Sequence, residues 1–204
     1  DVATIASINI LGPVAKKVAE YESTILVPNA DPIVMTVARQ VVKESFLEAG
    51  RPDAFNEEMV FFLTDSQFGF VAAVDGIMVR EKPATNLFLG MFWAESLILA
   101  ETGNMTGAIQ IAGTDAVSQL PFFVVACDYT IIGEELYAAS AYLSRAPLLV
   151  GSLKAQDMGK AIIIIVIVAM FVLSIVNTGF YLATDAGNSL LSRIIEFFQG
   201  LFNV

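Results

Sequence analysis

The chain has 204 residues, a formal net charge of -10, 56% apolar residues, no histidine and one cysteine, Cys127. Without histidine, Ser-His-Asp and Cys-His nucleophiles and the usual zinc ligand sets are excluded, and a single cysteine excludes an intrachain disulfide. An isoelectric point near 4.3 means repulsion from phosphate backbones, so no nucleic-acid partner is expected.

The mean hydropathy of +0.69 exceeds that of ordinary soluble chains, which are about 45–50% apolar. Taken in chain order, Val2–Ala15 (VATIASINILGPVA) carries no charge and is too short to cross a bilayer alone. Residues 1–28 therefore read as an N-terminal segment, either the end of an earlier membrane helix or a loop or short amphipathic helix. A helix is predicted over Asn29–Ala49. Asn29 or Asp31 caps it, Pro32 suits its first turn, and Gly50 with Pro52 ends it. Val34, Val37, Ala38, Val41, Val42 and Phe46 form its apolar side, and Arg39, Gln40, Lys43, Glu44 and Glu48 its wet side.

The chain then alternates. Strands are predicted at Met59–Leu63, Asn86–Phe92, Gly107–Ala112 and Phe122–Ala126, and helices at Gln67–Val79, Ala94–Glu101 and Ile131–Ser144. Short apolar strands separated by helices argue for an α/β fold over residues 29–147: a three-layer, mostly parallel, Rossmann-like sheet of about four strands. One connection strains this reading. Gly113–Gln119 is too short for a parallel crossover, which needs about a dozen residues. Within Gln67–Val79, Gly69, Ala72, Ala73 and Gly76 share one helical face. Small residues there admit a second backbone, either the protein's own sheet or a neighbouring subunit.

Residues 148–160 form a link containing Gly151 and Gly159. From Ala161 to Leu182 no residue is charged, and a helix of that length is about 33 Å long against a hydrocarbon core of about 30 Å. A transmembrane helix is predicted over residues 161–182. Lys16, Lys17, Lys154 and Lys160 precede it and only Arg193 follows, which places the main domain in the cytoplasm and the C-terminus on the opposite side. Over residues 187–204, Leu190, Ile194, Phe197, Phe198 and Leu201 make the apolar face of an amphipathic helix that lies at the interface or binds a partner.

Chemistry is sparse. No G-x-x-x-x-G-K-[ST] or G-x-G-x-x-G motif occurs, so no nucleotide cofactor is expected. Asp65, Glu95, Asp115 and Asp128 each fall at a predicted strand end. If they converge on one rim they offer oxygen ligands to a divalent cation; the plainer reading is that they cap helices. Cys127 has no basic neighbour in sequence and reads as a small core residue. No catalytic residue emerges, and an enzyme is not expected. The expectation is a membrane-anchored, non-catalytic subunit or scaffold, forming a homo-oligomer or joining a larger membrane complex. The alternative is a tethered sensor holding a cation or small polar ligand at the acidic rim.

Overall fold

The computed structural model describes residues 2–185 together with Phe197 and Gly200, with side chains described through residue 176 and at residue 197. The chain divides into two units, residues 1–153 and 154–204. It is a mixed α/β protein with parallel sheets.

The first unit opens with α1 (Val2–Glu20), a helix in which Ala3, Ala6, Ile10, Ala15 and Ala19 are buried. A three-residue strand follows, β1 (Val27–Asn29), then α2 (Pro32–Glu48). The Asp31 carboxylate accepts from Ile33 N at 2.7 Å and Val34 N at 3.3 Å, satisfying two of the amide donors that a helix start leaves open. Two short 3-10 turns lead into β2 (Val60–Phe62), which pairs parallel with β1, Val27 opposite Val60.

The chain continues through α3 (Gln67–Glu81), β3 (Thr85–Leu89), α4 (Glu95–Thr106), β4 (Ile109–Thr114), α5 (Leu120–Ala126), β5 (Tyr129–Ile132) and α6 (Glu135–Ser144). Strands β3, β4 and β5 form a parallel sheet in that order, with Leu89 opposite Gly113 and Gly113 opposite Ile131. The five strands thus make two small sheets, of two and three strands.

Strand alternation assigns the two faces of the larger sheet. Phe88 and Ala112 pack with Val71, Val74 and Met78 of α3, Leu99 and Ala100 of α4, and Phe123 of α5. Leu89 and Ile131, on the other face, pack with Ala3, Ala6 and Ile10 of α1 and Leu136 of α6. A third cluster joins Ala15 and Ala19 of α1 to Ala38, Val42 and Phe46 of α2 and Val60 of β2.

Two expected elements are corrected. Phe122–Ala126 is not a strand but the last five residues of α5, and Ile131 and Ile132, expected as the start of a helix, end β5 (Tyr129–Ile132) ahead of α6. The physical reason is the short connection: α5 is itself the crossover that carries the chain from the end of β4 to a parallel β5. Pro121 in its first turn suits a helix start, and Phe123 is its fully buried contact.

The second unit contains most of α7 (Pro147–Asp185), a single helix of 39 residues. Among the described residues, α1 and the Pro147–Val176 part of α7 are the two helices long and apolar enough to cross a membrane; 28% of α1's window is buried and none of α7's.

Gly103 on α4 faces the buried side chains of Asn86 and Gln110, which stand opposite each other on β3 and β4. A Cβ there would overlap Gln110 Oε1 and lie 2.9 Å from Asn86 Nδ2. In an open helix Gly→Ala gains about 1 kcal/mol. At position 103 the opposite sign is expected: Gly103→Ala lowers stability by about 1–3 kcal/mol through overpacking, read as a lower denaturant midpoint at unchanged slope.

Candidate functional site

In a parallel sheet the carboxyl ends of the strands and the loops after them form the usual ligand edge. Here that edge carries the loops after β3, β4 and β5, and the side chains on it are tied to one another. Glu95, at the start of α4, is buried; its carboxylate accepts from Trp93 N at 3.0 Å and from Gln67 Nε2 at the start of α3. Ser96 Oγ donates to Gln119 Oε1 at 2.7 Å, tying the start of α4 to the β4–α5 loop. Thr114 Oγ1 accepts from Ala116 N at 3.1 Å. Asp115 Oδ2 accepts from the Tyr137 hydroxyl of α6 at 2.6 Å, while Asp115 Oδ1 is buried without a hydrogen-bond partner. The carboxylate, with burial, pushes the Tyr137 phenol up to about 12.

The four carboxylates read as a common rim do not form one. Asp65 is exposed in the loop after β2, which belongs to the other sheet. Asp128 precedes β5 rather than following a strand, and its carboxylate accepts from Gln110 N at 2.8 Å near the start of β4. That is the amino-terminal edge, opposite Asp115, and the displacement follows from β5 lying after residue 128 and not before it. Among the described residues no three Asp, Glu or Cys side chains come together in a way that holds a metal ion.

The predicted contact residues fall elsewhere. Val71, Val74 and Met78 form the buried side of α3; Gly69 and Ala72 are exposed, and Ala73 and Gly76 are half-buried. The small-residue face therefore looks away from the sheet, with Arg80 folded back so that a Cβ at Gly76 would meet its guanidinium at 3.0 Å. In the C-terminal segment, Leu190, Ile194, Phe198 and Leu201 lie outside the described residues; Phe197 is helical and exposed.

A larger feature escapes motif reading. The outward faces of α3, α4 and α5, which pack side by side, are apolar: Phe68 and Val79 on α3, Leu97, Ile98 and Met105 on α4, and Phe122, Val124 and Val125 on α5 are all exposed. The sequence signal was available, since Gln67–Val79 is apolar nearly all round, a pattern expected of a helix covered on more than one side.

Two titratable groups sit against this layer. Asp75 lies at the contact of α3 with α4; burial raises its pKa, a hydrogen bond with Thr102 opposes that, and Oδ1 has no partner. A carboxyl whose folded pKa is raised favours folding at low pH, and that contribution is lost as pH climbs through the folded value. Asp75→Asn is therefore expected to raise the melting temperature at neutral pH, the gain vanishing as pH falls below the ordinary carboxylate range. The Cys127 thiol, pushed up to about 11 by burial and then by the Asp128 charge, holds almost no thiolate at neutral pH. Maleimide or iodoacetamide labelling of the native protein at pH 7 is expected to be at least tenfold slower than after denaturation.

Residues 1–184 match the family model described as "Domain of unknown function (DUF6754)". No curated protein and no solved structure matches the chain.

Proposed function

The chain belongs to this family of unknown function, and on that premise we propose that it is a membrane-anchored, non-catalytic subunit that oligomerises or docks partners through its α/β domain. One observation carries the reading: every large apolar side chain from Ile162 to Val176 is 50–67% exposed along α7. Burying a side chain of this kind contributes about 1.5–3 kcal/mol, so a helix bare along this length is stable only in an apolar surrounding. The helix is about 58 Å long, enough to cross a hydrocarbon core of about 30 Å with several turns to spare.

Helix α1, though apolar enough to span, is read as a domain helix because its alanine side packs on α2 and α6. The domain is read as a Rossmann-like layered unit, helices covering both faces of the parallel strands. Lys16, Lys17, Lys154 and Lys160 ahead of the span, against Arg193 beyond it, support a cytoplasmic domain with the C-terminus across the membrane and the last residues as an interfacial helix. The reading as a subunit rather than an enzyme draws on the polar edge, where Glu95, Ser96 and Asp115 are engaged with neighbouring loops and helices.

The test is extraction of the full chain from its own membrane. The protein is expected to stay with the bilayer through an alkaline carbonate wash. Ile165→Lys with Val168→Lys, at about 2.5–3.5 kcal/mol per lysine at the bilayer centre, is expected to release it. Recovery of the unaltered chain in the wash would overturn the anchorage. A bare monomer on native mass spectrometry after gentle extraction would overturn the subunit reading.

A further inference from the structure

We propose that the outward face of the α3–α4–α5 layer is a two-fold interface with a second copy of this chain. The proposal deepens the reading above and rests on it for the premise that the domain associates.

The first argument is area. Phe68, Met105 and Val125 are 65%, 82% and 87% exposed, and Val79, Ile98 and Val124 add to the same face. At roughly 150–250 Å² for a large side chain, these exposures amount to several hundred Å². The largest apolar patch of a typical monomer is about 300–600 Å², and a standard interface buries about 800 Å² per partner. The face is of the size that a stable pair needs, before its polar margin is counted.

The second argument is charge. Arg80, exposed on α3, and Glu101, exposed on α4, are of opposite sign and stand on neighbouring helices. In an isologous contact each residue of one copy meets the complementary residue of the other, so a face carrying one of each sign can satisfy itself. Ala72, exposed on the turn after Phe68, adds little bulk to α3 there, so a partner helix can approach closely.

A lipid surface fits less well. Interfacial faces rely on lysine and arginine at their margins, whereas here Asp65, Glu81 and Glu101 outnumber Arg80 and Lys82 and the chain as a whole is at -10. A different protein would not need a self-complementary pair.

The experiment uses the full chain in mild detergent and in neutral-lipid nanodiscs, with oligomeric state read by native mass spectrometry and light scattering. A dimer is expected. Val125→Glu, on an exposed position, is expected to weaken it at least tenfold without changing the circular dichroism melt. Arg80→Glu and Glu101→Arg singly are expected to weaken it at least tenfold, and together to restore it, a pattern that misfolding cannot imitate. A monomeric unaltered chain, or a dimer indifferent to all three changes, overturns the proposal. So does Val125→Glu that lowers lipid binding and leaves the dimer intact. A carbonate-resistant monomer bound to another protein removes this proposal and leaves the anchored-subunit reading standing. A dimer washed out by carbonate does the reverse.

Discussion

Alanine is what lets α1 serve two cores at once. Its N-terminal half, through Ala3, Ala6 and Ile10, closes the face of the three-stranded sheet that α6 shares; its C-terminal half, through Ala15 and Ala19, closes the cluster built on α2 and β2. A larger side chain at any of these positions would hold the helices apart, since interiors are packed too closely to yield more than a few tenths of an ångström without strain. The dependence is greatest for β1 and β2, three residues each, because an isolated two-stranded pair is not stable in water. Polar contacts follow the same line: Asn9 Nδ2 of α1 donates to Ser140 Oγ of α6 at 3.3 Å, and the strand end at Gly90 comes close to Ser7.

With the interior satisfied in this way, the chain's apolar surplus lies outside it. Exposed apolar side chains are spread over several helices of the domain, Ile33 and Leu47 of α2 and Tyr142 of α6 among them. Around α1's end, α2 and the 3-10 turns, the surface is charged, with Lys16 paired to Glu48 at 3.2 Å and Arg51 to Glu22 at 2.7 Å. Exposed pairs of this kind contribute about 0–1 kcal/mol, so they keep that side wet more than they hold the fold. The α3–α4–α5 side carries few charges and many large apolar side chains, and the stretch of α7 from Ile162 to Val176 carries no charge.

What was legible in the sequence is what local chemistry determines. The Asp31-Pro32 entry into α2 is visible because the cap and the fixed φ of proline act within one turn. The alternation of apolar runs with helices is visible because parallel strands are buried on both faces. The run FFVVA is not, since β-branched and aromatic residues favour a strand until the connection length is weighed, and tertiary context then overrides propensity. The short Gly113–Gln119 connection held the clue. β1 was out of reach, being three residues with Pro28 at its centre. The acidic rim failed for a related reason: shifting the last strand past residue 128 moves Asp128 from one edge of the sheet to the other, so an error in one element becomes an error in the site.

The carboxylates that do stand on the carboxyl edge have structural work that accounts for them. Short strands leave their loops little backbone pairing, and Glu95 and Asp115 supply the closure instead, one holding the start of α3 to the β3–α4 loop and the other holding α6 to the end of β4. Both oxygens of Glu95 are already engaged, so recruiting it to a cation would compete with the hydrogen bonds from Gln67 Nε2 and Trp93 N that hold the loop. The edge that hosts chemistry in many open α/β sheets is here crossed by the protein's own side-chain hydrogen bonds, while α7 and the α3–α4–α5 layer carry large exposed apolar side chains.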